Sequence, residues 1–205
     1  MNRVKWMKIA ALAALALTVS CYASGPARTV QRINPDAQVD LSGKWNDTDA
    51  NQVARAMIQD CLSRPWATSF KAQHNKLPVV RLWPIKNRSS DHMNTMFFTK
   101  QVEMELINSG LVEVVSSLEE AQDNRDERAD QAHNASDSTV KAQQQETGSD
   151  FVLNGWVISE NDAVDGQTVK AFVTTMELSN SETNKKVWMK VHRIKKVVTQ
   201  AASEW

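Results

Sequence analysis

The sequence predicts an α+β fold, in which helices pack on a mixed β-sheet that has a C-terminal antiparallel meander. Three segments rich in strand-forming residues, 151–159, 168–178 and 187–197, follow one another and are separated by turn residues. Before them, segments with apolar residues at helical spacing flank a nearly continuous apolar strand, 78–85, which is expected to join the same sheet. Helices that precede a set of neighbouring strands are typical of a two-layer α+β domain.

The N-terminus predicts an export signal that ends in a lipidated cysteine. Basic residues precede an apolar run, 9–19, that is much shorter than the ~20 residues of a membrane-spanning helix. Residues 17–21, Leu-Thr-Val-Ser-Cys, are similar to a bacterial lipobox, in which the cysteine carries the lipid and becomes the new N-terminus. Cys21 is therefore the predicted lipidation site. The alternative is a secreted protein that is cleaved after Ala23.

The predicted organisation is a lipoprotein signal peptide over 1–20, a flexible tether over 21–37 and a single α+β domain over 38–205. The sixteen residues after Cys21 extend to at most ~55 Å and average ~20–25 Å as a flexible chain. Tyr22 follows the cysteine, which by analogy fits sorting to the outer membrane of Gram-negative bacteria. We therefore expect a lipid-anchored protein of the outer membrane that faces the periplasm.

The first helix is predicted over 48–63, where apolar residues recur at helical spacing. Residues 47–49 supply capping oxygens and negative charge for its first turn, and Pro65 ends it. A short strand that contains Val39 and Leu41 is predicted just before it.

A second long helix is predicted to begin at Asp91 or Met93 and to end at Ser109, with Gly110 as its C-terminal cap. Three shorter elements follow: a strand over 111–115, a charged, solvated helix over 117–134 and a helix over 139–147.

The C-terminal strands are predicted to pair as hairpins, with 161–166, which contains Asp165-Gly166, as the first turn and 180–185 as the second. The last strand is strongly basic: Lys185, Lys186, Lys190, Arg193, Lys195 and Lys196. One interpretation is that these cations protect a sheet edge from pairing with another chain. The alternative is that they contact an anionic partner or a lipid surface.

Composition excludes several classes of function. The formal net charge is zero, and loss of the three cations of the signal peptide leaves the mature chain at −3, so no basic excess points to nucleic-acid binding. Of the two cysteines, Cys61 is expected to be a buried thiol rather than a reactive one. If Cys21 carries no lipid, a Cys21–Cys61 disulfide becomes possible.

No pattern predicts catalysis, a metal or a cofactor. His74, His92, His133 and His192 lie on separate elements without metal-ligand spacing. There is no serine-nucleophile elbow and no glycine-rich phosphate loop. We therefore expect no enzyme activity, no cofactor and no small-molecule substrate.

Three residues are candidates for a partner-binding surface. Trp45 lies in a polar, turn-forming stretch, where it is either a core residue or an exposed binding anchor. Asn87 and Arg88 follow the buried strand, where α/β layers commonly carry functional loops, although structural turn residues are an equal alternative.

Four segments resemble the LpoB-type lipoproteins. They are DLSGKWNDTD at 40–49, DCLSRPW at 60–66, NRSS at 87–90 and GSDFVLNG at 148–155. The resemblance covers roughly 39–197 and implies a fold like that of the N-terminal domain of TolB. It also implies a non-catalytic outer-membrane lipoprotein that binds and activates a bifunctional penicillin-binding protein, the enzyme that polymerises and crosslinks peptidoglycan.

The predicted tether is short, whereas the well-known members of this family have a long proline-rich tether. The length of the tether determines whether the domain reaches an enzyme of the inner membrane. The alternative function is a structural envelope lipoprotein that binds peptidoglycan or another lipoprotein. A hydrolase with an unrecognised carboxylate site is a weaker rival, which a deep cleft lined by converging carboxylates would favour.

Overall fold

The computed structural model describes residues 29–34, 37–164 and 166–199. The predicted signal peptide, Cys21 and most of the tether lie outside these residues, so those assignments stay predictions. All described helices and strands belong to one compact unit, Gln38–Trp205. Among the described residues, none of the helices has the length and apolar character needed to cross a membrane.

The described chain contains four helices and six strands. In chain order they are α1 (Asp47–Ser63), α2 (Trp66–His74), β1 (Val79–Leu82), β2 (Lys86–Asn87), α3 (Thr95–Asn108), β3 (Glu113–Val115), α4 (Leu118–Asn134), β4 (Phe151–Val164), β5 (Gln167–Asn180) and β6 (Lys186–Thr199).

The strands form one mixed sheet in the order β3-β1-β4-β5-β6, with β2 also paired to β4. β1 is parallel to both of its neighbours, and β2 continues along β4 in the same direction. β4, β5 and β6 are antiparallel over almost their whole length. The predicted mixed sheet with a C-terminal antiparallel meander is confirmed.

The two faces of the sheet differ in burial. Side chains along β4 alternate between buried and half-buried from Phe151 to Ile158, because successive residues of a strand point to opposite faces. The buried set forms one core with residues of α1, α2 and α3: Phe151, Leu153, Val157, Phe172, Met176, Leu178 and Trp188. On the other face, Met189 and Val197 of β6 are 55% and 65% exposed.

Helix α1 starts and ends where its sequence dictates. The Asn46 side chain accepts a hydrogen bond from the Asp49 N–H, and the Asp49 carboxylate accepts one from the Asn46 N–H, which together make a capping box. Pro65 follows the last turn and is the N-cap residue of α2. The buried side of α1 carries Val53 and Met57 at helical spacing, as predicted.

Two predicted elements are absent from the described structure. Residues 39–41 form no strand, because side chains rather than a neighbouring strand hold this segment, and Leu41 is almost fully exposed. Residues 139–147 form turns and coil instead of a helix. Val140 is the only large apolar residue there, so such a helix has no apolar face to bury, and short helices depend on that burial.

The remaining predicted helices form with shifted ends. α3 begins at Thr95 because the Asn94 side chain accepts a hydrogen bond from the Phe97 N–H at 3.0 Å. Gly110 follows α3 with φ of +64°, a left-handed conformation that glycine adopts at little cost. α4 buries only Ala121, in agreement with the predicted solvated helix.

Candidate protein-binding surface

Trp45 packs into the domain on the side of the sheet that the helices cover. Its half-buried ring lies edge-on to Phe98 of α3, with centroids 5.5 Å apart, and to Phe172 of β5, with centroids 5.6 Å apart. Such aromatic pairs stabilise a core beyond the area that they bury. The structure therefore gives Trp45 a packing role between a helix and the sheet.

Asn87 shapes the loop that follows β2. Its side-chain oxygen accepts hydrogen bonds from the Ser89 N–H at 2.9 Å and the Ser89 hydroxyl at 2.6 Å, and its amide donates to the Asp91 carbonyl at 2.8 Å. Asp91 in turn forms an ion pair with Lys170 of β5 at 3.0 Å. The nearby Ser159 hydroxyl and the Lys170 ammonium lower the pKa of Asp91, so this carboxylate anchors the loop to the sheet.

Arg88 points to the other face of the sheet. Its N–H donates to the Val157 carbonyl at 2.8 Å, which extends the pairing of β2 with β4 by one residue. Its exposed guanidinium lies over the Trp156 ring, 5.0 Å from the centroid, in a cation–π contact. The structure thus separates the predicted residues: Arg88 belongs to an accessible surface, whereas Asn87 supports the loop and Trp45 packs against the core.

Trp156 was not singled out by sequence reasoning, although it defines the surface around Arg88. The register places Trp156, Thr175 and Val191 side by side across β4, β5 and β6. The next row on this face consists of Ile158, Val173 and Arg193. We call the resulting patch the open sheet surface: Arg88, Trp156, Ile158, Val173, Val191 and Arg193.

The open sheet surface has an apolar centre and a basic rim. Lys86 lies on the same sheet face as Arg88, two residues before it, and Lys195 lies on the same face as Arg193, two residues after it. Two carboxylates share this face, but Glu177 forms an ion pair with Lys186 at 2.7 Å and Glu160 is exposed near the hairpin end. Arginine and tryptophan around apolar side chains are typical of the central residues of protein interfaces.

The motif at 60–66 ties the end of α1 to the sheet. Asp60 accepts a hydrogen bond from the Trp188 indole N–H at 2.9 Å and forms ion pairs with Lys190 at 2.9 Å and Arg64 at 3.0 Å. These contacts, led by Trp188, hold the pKa of Asp60 well below its usual value. Cys61 beside it is buried, and burial raises the pKa of its thiol to about 12, so the predicted buried thiol is confirmed.

The motif at 40–49 fastens the start of the domain to the far end of β6. The Lys196 ammonium contacts the Asp49 carboxylate at 2.6 Å, the Asp40 carboxylate at 2.7 Å and the Lys44 carbonyl at 3.0 Å. Burial by itself lowers the pKa of Lys196, but the two carboxylates outweigh it and the net shift is upward. The same ammonium lowers the pKa of Asp40 to about 2.

These two motifs therefore have structural roles in the described chain, whereas the open sheet surface remains accessible. Within the described ranges, no group of three or more His, Cys, Asp or Glu side chains is arranged to hold a metal ion. The fold and this surface define a small α+β domain in which α1, α2 and α3 cover one sheet face and the other face is partly exposed around Trp156.

Comparison with known proteins gives the family. The family model for the peptidoglycan-synthase activator LpoB matches residues 49–194, which span the domain from α1 to β6. The chain belongs to the LpoB family. No curated protein matches it significantly.

Solved structures similar to this chain include members of the same family. The LpoB C-terminal domain from Escherichia coli is 19% identical over 74% of this chain and 99% of that chain, with a TM-score of 0.44. The NMR structure of E. coli LpoB is 17% identical over 86% of this chain and 87% of that chain, with a TM-score of 0.43. Lipoprotein GNA1162 from Neisseria meningitidis is 17% identical over 62% of this chain and 88% of that chain, with a TM-score of 0.41.

Proposed function

We propose that this protein is an outer-membrane lipoprotein that faces the periplasm and activates a bifunctional penicillin-binding protein by binding it. Membership in a family of peptidoglycan-synthase activators carries this proposal, because the match extends from within α1 to within β6. The predicted export signal and lipidation at Cys21 support the location.

An activator of this kind contributes binding energy rather than chemistry. It raises the activity of its partner only if it binds the active state more tightly than the inactive one, and each ~1.4 kcal/mol of that preference shifts the population about tenfold. The domain can supply binding energy because its interface residues are held by a paired sheet and lose little conformational freedom on binding.

The open sheet surface is the part of the domain that we assign to the synthase. Trp156 offers a large ring whose position is fixed by strand pairing, and Arg88 adds a charge that is already oriented by its cation–π contact. A partner patch that is apolar at its centre and acidic at its rim would complement Trp156, Ile158, Arg88 and Arg193 in shape and charge.

Anchoring at the membrane limits where binding occurs. Acyl chains on Cys21 contribute about 0.8 kcal/mol per buried methylene, so the two or three chains of a bacterial lipoprotein hold it in place. The sixteen residues that follow reach at most ~55 Å, so the domain works near the outer membrane. The synthase must therefore approach across the periplasm, or the periplasm must be narrow.

The test measures capture and activity with a purified bifunctional synthase from the same cells. Synthase polymerisation and crosslinking are followed with and without the protein, and purified sacculi are offered in a parallel binding assay. Increased synthase activity supports the proposal. Binding to sacculi without any effect on the synthase would instead favour the structural envelope lipoprotein.

A further inference from the structure

We propose that the free edge of β6 binds an extended acidic protein segment, which adds to the sheet as a further strand. β6 ends the strand order β3-β1-β4-β5-β6 and pairs with β5 on one side from Lys186 to Thr199. On its other side, none of the described residues makes a backbone hydrogen bond to it. Alternate residues of β6 therefore direct N–H and C=O groups outward.

The length of this edge is unusual for an unprotected strand. β6 has 14 residues, whereas strands of globular proteins average about 5–6. Proteins commonly keep edge strands short or interrupt them with proline or a bulge, because long edges recruit other chains. β6 contains no proline, and its one register irregularity lies at its start, beside Leu178 and Ser179. Most of the edge is thus regular and is left unpaired by the part of the chain that the structure describes.

Charge selects the kind of segment that fits. β6 contains five basic residues and no acidic residue. Three of the five have carboxylate partners within the domain: Lys186, Lys190 and Lys196. Arg193 and Lys195 are exposed and have no carboxylate partner among the described residues, and their cross-strand neighbours are Val173 and Ala171. Arg193 and Lys195 therefore form no direct ion pair with a described carboxylate, although Glu160 lies in the same row as Lys195, on the far side of Ala171.

The side-chain order along this face sets the pattern of the incoming strand. Met189 and Val191 are followed by Arg193 and Lys195, and Val197 comes after them. A strand laid beside β6 brings its own side chains within about 5 Å of these residues. The complementary segment is therefore extended, with two acidic residues two positions apart and apolar residues on either side of them.

The same charges argue against a second copy of this chain at the edge. Two β6 strands that pair with each other bring Arg193 and Lys195 of both copies into one ladder, which makes four cations without a carboxylate partner and no acidic residue of β6. Like charges placed directly opposite each other destabilise a strand pair. The cations thus exclude self-pairing while they favour an acidic segment.

This inference goes beyond the proposed function, because edge pairing uses the outward backbone N–H and C=O groups of β6, which docking on the open sheet surface does not use, although the Val191 and Arg193 side chains belong to both. The probe is the nine-residue peptide Thr-Val-Thr-Glu-Thr-Glu-Thr-Val-Thr with blocked ends, titrated into the full-length protein. We expect saturable binding, with slower amide hydrogen exchange confined to β6. Two control peptides test the mode: lysine in place of both glutamates, and backbone N-methylation of the central threonine and of the glutamate after it, which keeps the charge and removes two successive N–H groups, one of which faces β6 in either register.

The proposal predicts that both control peptides bind at least about tenfold more weakly. It is overturned if the N-methylated peptide binds equally well, since charge attraction alone then explains the binding, or if β6 amides exchange at an unchanged rate. Arg193→Glu combined with Lys195→Glu should abolish binding. Lys71→Glu combined with Lys141→Glu makes the same change in net charge at exposed sites and should have no effect.

Two further measurements address other occupants. Sedimentation of the protein alone should give the mass of a monomer. A dimer that dissociates in the Arg193→Glu/Lys195→Glu variant would overturn the proposal and show that a second copy of the chain binds the β6 edge. Vesicles of phosphatidylglycerol should not slow exchange in β6, because lipid head groups provide no strand ladder. Protection of β6 by vesicles but not by the acidic peptide would likewise overturn it.

Discussion

The Trp188 indole N–H donates to the Asp60 carboxylate at 2.9 Å, across 128 residues of sequence. This bond joins the last turns of α1 to the edge strand β6, and Lys190 and Arg64 share the same carboxylate. Asp60 lies next to Cys61 near the end of α1, so one acidic residue connects the end of a helix to the edge strand of the sheet.

Replacement of Asp60 by asparagine should change the pH dependence of stability. The contacts of Asp60, led by Trp188, depress its pKa in the folded protein. Its stabilising effect is therefore complete above the unfolded-state pKa of about 3.9 and is lost as pH falls toward the folded-state pKa. Urea unfolding at neutral and acidic pH should give a smaller difference between wild type and Asp60→Asn in acid. A difference that is constant with pH would contradict this assignment.

Replacement of Lys196 by methionine should destabilise the domain by about 3 kcal/mol, because it leaves the buried Asp49 carboxylate without its ammonium partner. Thermal unfolding measures the loss. The matched control is Lys195→Met on the neighbouring position, which is exposed and should change stability by less than about 0.5 kcal/mol. Equal effects of the two substitutions would refute the role of the Lys196 ion pairs.

Gly43 is required by close packing rather than by its backbone angles. A Cβ atom at this position would overlap the Cγ2 atom of Val198 in β6, and it would also touch Lys170. Gly43→Ala should therefore cost about 1–3 kcal/mol of unfolding free energy. In a Val198→Ala background the same substitution should cost much less, and a double-mutant cycle by urea unfolding measures the difference. Additive effects would show that Val198 is not the obstacle.

The sequence predicted the elements whose burial pattern is long and regular, and it misplaced those that depend on distant partners. α1 and the three C-terminal strands each repeat their apolar pattern over several turns or alternations, so the sequence predicts their positions, although β4 continues past its predicted end at 159 to Val164 because its pairing with β5 extends into the polar residues of the hairpin. Residues 39–41 have the composition of a strand, but their conformation depends on the ion pair between Asp40 and Lys196, which is far away in sequence.

The candidate site was predicted only in part, for a related physical reason. Asn87 and Arg88 are neighbours in sequence, but strand geometry sends their side chains to opposite faces of the sheet. Which face is covered depends on where the helices pack, and a single strand does not encode that. The signal that could have found Trp156 is its alternation with Gly155 and Val157 on a strand, which places it opposite the buried set.

Trp45 should behave as a core residue. Trp45→Ala removes the ring that packs against Phe98 and Phe172, and the expected cost is about 3 kcal/mol or more of unfolding free energy. Thermal unfolding gives this value, and Trp45→Phe should recover much of it. If Trp45→Ala leaves the melting temperature unchanged but weakens synthase capture, Trp45 is instead a binding anchor.

Substitutions of Arg88 and Asn87 should have different effects: loss of Arg88 should weaken binding of the synthase, and loss of Asn87 should lower stability. Arg88→Ala and Trp156→Ala, which alter the accessible cation–π pair, should each weaken capture of the synthase about tenfold, since central arginine and tryptophan residues of interfaces often contribute more than 1 kcal/mol. Asn87→Ala removes the hydrogen bonds to Ser89 and Asp91, so it should lower the melting temperature and affect capture less. Immobilised synthase and a thermal scan on the same preparations measure both properties, and Lys141→Ala serves as the control for loss of an exposed cation. Capture that is unchanged in stable Arg88→Ala and Trp156→Ala variants would remove the open sheet surface from the synthase interface.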